Sequence, residues 1–530
     1  MIRSALIFTT LFCLTISLFG RAEKIRVVWI NNPSQEAHIG WASSDKSLQT
    51  LYVDTYDHGK DTSAYERRFK PEIVHRGYKG MVTQFVHLKG LIPNTRYYMT
   101  WGDKSSITSS YFFQTAPEEP TDSISIIVGG DSRNNRNARQ MANILVGRLR
   151  PHAVMFAGDM TDEDQSKEWQ EWLDDWQLTR SHDRRLTPII PARGNHELSD
   201  EVMVKLFNVP EKAYYAQTIG GNLMRVYSLN SEANAGGNQA AWLKEDLANE
   251  GTKAIWRIAQ YHKPVRPHVA RKREGNDQYQ YWSPLFYEFG VQLAYECDGH
   301  IAKVTWPLRP STKQGADEGF IRDDRYGTIY LGEGGWGAPL RKPDDAKNWT
   351  RAVGSFNHIN WLWISKDKLE IRTVIVPAGI SQVLSIKMLS DNTRFTVPRR
   401  AELWQLPGGV DVVNVSVNKR ESELQNLVEE SLDGSLFVEE NPENQTIFFN
   451  AFPIPNNKRS QLGVTCFSRE KQAVDLRLFD QRGRLLFKRK LRVVEGDNRF
   501  TFDTRKYLKG IYYLAIQQDQ GSQVIKLVLD

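Results

Sequence analysis

Cysteine is scarce, with three residues in 530 at positions 13, 297 and 466. That excludes a disulfide-stapled scaffold and any Cys-rich zinc module. A large excess of one charge is also missing. The formal charge is +6, from 69 Lys and Arg against 63 Asp and Glu, so composition makes no case for a nucleic-acid binder. The sequence has no internal repeat and no low-complexity tract. Aromatic residues, by contrast, are plentiful. The 15 Trp, 20 Tyr and 23 Phe can fill a large core, which excludes disorder throughout. At roughly 150 residues per domain, the length predicts two to four domains.

The one long apolar run opens the chain. Arg3 precedes an apolar stretch from Ala5 to Phe19, and Gly20 and Ala22 place small residues before a possible cut. Residues 1–22 therefore read as a secretory signal peptide. A single membrane anchor is the alternative, but the run falls short of the ~20 residues a span needs. The mature protein is expected to be secreted or displayed at the cell surface.

Residues 23–117 read as a β-sandwich, because short branched and aromatic runs are separated by turn residues. Gly90 to Tyr98 resembles the tyrosine corner of a fibronectin-type sandwich, with Tyr97 bonding back to the backbone. Residues 117–120 (PEEP) form a linker. From 122 to 376 continuous apolar runs of strand length alternate with helical patterns, which predicts a layered α/β domain. It closes on a hairpin near Lys366–Lys368. Residues 377–440 carry scattered Pro and Gly and read as a connector with some β structure. Residues 441–530 read as a C-terminal β-sandwich, with a hairpin around Gln481–Gly483.

Chemistry-bearing residues stand where the α/β strands stop, which is where open α/β sheets place their ligands. These are Gly130-Asp131, Gly158-Asp159, Gly194-Asn195-His196-Glu197, His262, and Cys297-Asp298-Gly299-His300. A single Gly-Asp at a strand end is ordinarily an Asx turn or a helix cap. The ordered series GD, GD, GNHE, H, GH is specific.

This order resembles the calcineurin-like metallophosphoesterase superfamily. With the preceding sandwich, it is most similar to the purple acid phosphatase branch. The resemblance covers roughly residues 24–376 and implies an αββα-layered domain that hydrolyses phosphate esters with two divalent metal ions (Fe, Mn, Zn or Mg). Two such cations ~3.5 Å apart repel by on the order of 20 kcal/mol at an effective dielectric of ~20, so bridging anions and several oxygen or imidazole donors are needed. The resemblance implies that Asp159 bridges, that Asp131 binds the first ion, and that Asn195, His262 and His300 complete the second. It also implies that His196 stands beside the phosphate and that Glu197 orients it.

The departures are specific. Asp162 stands where the purple branch has Tyr, and Ala302 stands where the family has the second His of GHxH. Asp162, Asp298 or Glu296 are the acids available to fill the first site. Arg133 is expected either to clamp phosphate or to form a structural ion pair. His268 is expected either as a general acid or as a solvated loop histidine. Gly332 to Gly337 reads as a turn, and Cys297 as a small buried hydrophobe. The sequons at Asn348, Asn414 and Asn444 matter only where the source glycosylates.

The last ~80 residues resemble the C-terminal sorting domain of the type IX secretion system, on the strength of FDQRGRLLFK, LKGIYYLAI and KLVLD. The resemblance implies the secretion machinery as a partner. A carbohydrate- or protein-binding accessory module is the other reading of a small β-sandwich. The expected architecture is multidomain, with an N-terminal β-sandwich, a central αββα domain and a C-terminal β-sandwich. The expected substrate is a phosphate ester.

Overall fold

Three parallel strands, Ile124–Gly129, Ala153–Ala157 and Ile189–Ala192, lie side by side and are buried along their whole length. Burial on both faces is why they read as unbroken apolar runs. They sit at the centre of a ten-stranded sheet. In the computed structural model the described residues are 22–43, 47–102, 107–415, 447–454, 461–468, 470–480, 484–504, 507, 510–518 and 521–529. The segment 1–21, read above as signal peptide, lies outside them. Among the described residues no helix is long and apolar enough to cross a membrane.

The chain divides into two compact units, Met1–Asn418 and Lys419–Asp530. In the first, a seven-stranded sheet includes Met224–Ser228, Trp256–Gln260, Leu293–Glu296 and Ile329–Gly332, paired in parallel. Its side chains alternate between two cores, as strand periodicity requires. Val226, Ile258 and Leu293 join the core shared with the ten-stranded sheet. Tyr227, Ala259 and Ala294 join a second core with Leu243 and Leu247 of the helix Gly237–Asn249. On the other side, the helix Ser166–Trp176 buries Trp169, Trp172, Leu173 and Trp176 at one-face spacing. The result is the expected layering of helix, sheet, sheet and helix.

The N-terminal strands form a sandwich, and the tyrosine corner is present: the Ile92 N–H donates to the Tyr97 hydroxyl at 2.8 Å. One face of the sandwich continues into the ten-stranded sheet. Ala22–Val28 pairs in parallel with Ile189–Ala192 at Val28 and Ile189. The boundary read between residues 117 and 122 is thus crossed by a shared sheet. The stretch 377–415 also packs on this unit. Val413–Val415 adds an edge strand to Leu369–Ile375, and the Asp391 carboxylate pairs with Arg96, Arg150 and Arg394. The rest of the connector, 416–440, lies outside the described residues, as do 441–446 with Asn444 and the hairpin tip 481–483.

The second unit contains a three-stranded and a four-stranded antiparallel sheet. Gln472–Asp480 pairs with Leu485–Val493 as the expected hairpin. Its core includes Leu462, Val474, Leu476, Leu478, Leu514 and Ile516.

Candidate metal centre

Each sequence motif follows the carboxyl end of its strand, and the loops converge. The Asp131 N–H donates to the Gly158 carbonyl at 3.0 Å, which ties the first loop to the second. Glu197 ties the second to the third. Its buried carboxylate accepts from the backbone N–H groups of Asp159, Met160 and Gly194 at 2.9, 2.8 and 2.7 Å. Glu197 therefore fixes backbone, whereas the His196 ring bonds to the Asp162 carbonyl instead. Asp131, Asp159, Asp298 and His300 all adopt left-handed φ, between +55° and +66°. Such conformations cost on the order of 1–3 kcal/mol each in non-glycine residues and cluster at functional sites. Gly334 has to be glycine, because a Cβ there would collide with the Asp131 carboxylate.

Three groups of donor atoms result, each with its atoms within 4.8 Å of one another. They are Asp131, Asp159 and His300; Asp159, His262 and Asp298; and Asp131, His262 and Cys297. The first two share Asp159. Asp131 Oδ1 and His300 Nε2 lie 3.1 Å apart. Both are buried and neither makes a hydrogen bond. Two buried polar atoms facing one another without bonding are suited to act as ligands to a common cation. His262 is fixed by its Nδ1, 2.9 Å from the Ala157 carbonyl. This leaves Nε2 3.1 Å from both Asp159 Oδ1 and Asn195 Oδ1. The donors fit divalent cations held by oxygen and imidazole.

Several expectations are corrected by this geometry. His300 stands with Asp131, not with Asn195 and His262, because its Nδ1 is turned to the Pro339 carbonyl at 2.9 Å. Asp298 takes the place beside His262, at 3.8 Å. Asp162 joins no donor group among the described residues. Its side chain is 43% exposed and pairs with Arg133 at 3.1 Å. Glu296 points away from the centre, accepting from the Tyr261 hydroxyl and the Val265 N–H and pairing with Lys303. His268 is neither a solvated histidine nor placed to protonate a leaving group. It is fully buried, with Nε2 2.7 Å from Thr350 Oγ1 and Nδ1 3.3 Å from Glu333 Oε1. Arg133 forms the expected ion pair, with Asp159 at 3.0 Å and Asp162 at 3.1 Å, and its side chain stays 13% exposed.

Sequence reading missed Lys272, which pairs with Asp298, and Arg341, which donates to the Asp298 carbonyl. Neither belongs to a motif. Cys297 is fully buried, as its reading as a small hydrophobe expects, and its sulfur also lies within one donor group. Burial first, and then the Asp131 charge, push that thiol up and keep it protonated.

Three buried carboxylates in one place call for positive charge. Burial would lower the pKa of His262, but the charges of Asp159, Asp131 and Asp298 raise it from 6.5 to about 10. A histidine raised on folding stabilises fully below its unfolded value, and that stability is lost as pH climbs through the folded one. The metal-free protein is therefore expected to lose thermal stability between pH 6.5 and about 10. Metal added at pH 7 is expected to release a proton, because a ligating imidazole is neutral. An indicator-dye titration measures this, and metal uptake without proton release would remove His262 from the ligand set.

The layered fold thus carries its candidate metal donors at the carboxyl ends of its strands. Residues 125–302 match the family model of the calcineurin-like phosphoesterases. Residues 450–530 match the secretion system C-terminal sorting domain. The chain is 27% identical over 248 residues to an uncharacterised protein of Mycobacterium tuberculosis, covering 38% of this chain and 45% of that one. It is 22% identical over 264 residues to purple acid phosphatase 15 of Arabidopsis thaliana, covering 42% and 49%. It thus spans about half the length of the curated relatives it matches. Among solved structures, purple acid phosphatase PPD1 from yellow lupin seeds aligns with a TM-score of 0.55 at 14% identity, covering 67% of this chain and 72% of that one. PhoD aligns at 0.52 and 10%, covering 66% and 85%. At these identities the likeness is one of fold.

Proposed function

We propose that this chain is an exported metal-dependent phosphoesterase that hydrolyses phosphate esters at a dinuclear centre with Asp159 shared between the two ions. The observation that carries this reading is the overlap of two donor groups on that one carboxylate. Asp131 and His300 would hold one ion, and His262, Asn195 and Asp298 the other. Bound ions supply Lewis-acid polarisation of the phosphoryl group and a water of lowered pKa. His196, with its side chain 24% exposed beside Asp159, would hydrogen-bond a phosphoryl oxygen or give a proton to the leaving oxygen. The planar Arg133 fork matches the same group. The oxygen and imidazole donors suit Fe, Mn, Zn or Mg. The match of residues 450–530 to a sorting domain supports export through a secretion machinery, which would be the chain's partner.

A second reading has one observation in its favour. Lys272 already neutralises Asp298, and Arg133 already neutralises Asp159. Side-chain cations in those places suit a metal-poor protein that binds phosphorylated or glycan ligands without turning them over. Elemental analysis with an aryl phosphate assay separates the two readings. About two ions per chain together with hydrolysis is the expected result. One ion or none, without turnover, would establish the binder.

A further inference from the structure

Of the three donor groups, the proposed function uses two. The third consists of Asp131, His262 and Cys297 and brings one new atom, the Cys297 sulfur, within 4.8 Å of a donor atom on each partner.

Backbone on both sides holds the sulfur there. The Cys297 N–H donates to the His262 carbonyl at 2.8 Å, and the Gly299 N–H to the Cys297 carbonyl at 2.8 Å. The next residue is pinned to Asp131, because the Asp298 N–H donates to Asp131 Oδ2 at 2.7 Å. Gly130 makes room for the thiol, since a Cβ at that position would stand 2.5 Å from Sγ. Any larger residue before Asp131 would push the sulfur away from the loop that carries this carboxylate.

A buried cysteine is ordinarily a small hydrophobe. A separate feature points to a ligand here. Asp131 is fully buried, and its Oδ1 makes no hydrogen bond. A buried carboxylate oxygen left bare is costly unless a cation or a donor meets it. The sulfur therefore shares its surroundings with an unpartnered carboxylate and an imidazole. Oxygen, nitrogen and sulfur together make the donor set of an ion that binds thiolate as well as harder ligands.

We propose that Cys297 is a sulfur ligand to the ion held at Asp131, and that this position therefore prefers a thiophilic divalent cation such as Zn²⁺ or Co²⁺ to Mg²⁺ or Mn²⁺. The proposal rests on the metal-centre reading above and specifies the class of ion taken. When the ion binds, the S–H bond gives way to a metal–sulfur bond and the proton leaves to solvent, with no change of oxidation state.

The test strips the full chain of metal with a chelator and titrates it with Co²⁺ alone. Cobalt bound to thiolate gives an intense sulfur-to-metal charge-transfer absorption in the near ultraviolet, which oxygen and nitrogen donors do not give. Wild type is expected to show this band and Cys297→Ser to lose it. The double variant Cys13→Ser with Cys466→Ser, which keeps Cys297 as the one thiol of the chain, is expected to retain it. Competition against a chromophoric chelator is expected to show Zn²⁺ affinity reduced at least about tenfold in Cys297→Ser, the lower end of what losing a supporting group at a metal site costs. Mn²⁺ affinity is expected to change little, because manganese favours oxygen donors. Should Cys297→Ser fail to fold, the double variant alone decides, because it leaves the centre untouched. Cobalt uptake by the double variant without the band overturns the sulfur ligand. The band without turnover of any phosphate ester establishes the ligand and overturns the phosphoesterase reading. No cobalt uptake by any of these proteins overturns the metal centre, and the sulfur ligand with it.

Discussion

Asp159→Asn is expected to reduce aryl phosphate turnover by at least about 10²–10³-fold, the range seen when one transition-state contact is removed. It is also expected to strip the chain of metal. The substitution conserves shape, so the His196 N–H can still donate to the Oδ1 position at 2.9 Å. What disappears is the charge that both donor groups share. That charge is firmly held. Burial would raise the Asp159 pKa, yet the charges of His262, His196 and Arg133 keep it below the usual carboxylate range. Neutralising it leaves Arg133 and His262 facing one another without their common counter-ion. The measurements are elemental analysis and steady-state kinetics, with circular dichroism to establish that the fold survives. Retained metal with undiminished turnover would remove Asp159 from the centre.

Lys303→Met is expected to cost about 3–5 kcal/mol of stability, the scale for leaving a buried ion pair without one partner. Lys303 is 1% exposed and serves two carboxylates, Glu296 in close contact and Glu333 at 2.9 Å. Burial would raise the pKa of Glu333, and the charge of Lys303 is the main influence that lowers it. Without that ammonium, Glu333 would tend to take up a proton in the folded state. A carboxyl raised on folding destabilises increasingly as pH rises, so the deficit is expected to be larger at pH 8 than at pH 5. Denaturant titrations at the two pH values measure it. An equal deficit at both would mean that the loss comes from packing and not from charge. Activity is expected to fall as well, because the Glu333 carbonyl accepts from the His300 N–H. Lys303 thus supports, through Glu333, the loop that carries His300.

Local pattern carried much of the information. The apolar runs before Asp131, Asp159 and His262 identified buried strands, and a turn residue plus a donor at the end of each placed it at the rim. The tyrosine corner was equally legible, since Leu91, Tyr97 and the turn between them lie within one short stretch. These features depend on neighbours in sequence, where spacing and residue type constrain conformation directly.

Other features depended on long-range packing. Nothing near Val28 announces its pairing with Ile189, because a strand edge carries no label for its partner. Ala302 marked a lost ligand, but the sorting of His300 to Asp131 and of Asp298 to His262 follows from left-handed turns within ECDGHIAK and from the Pro339 carbonyl that orients one ring. Lys272 and Arg341 lie in loops whose positions are set by contacts with each other. Asp162 looked available as a ligand until Arg133 was found to hold it. Strand identity and donor type were therefore written in the chain. Which donor faces which arose from distances between loops that hydrophobic periodicity does not encode.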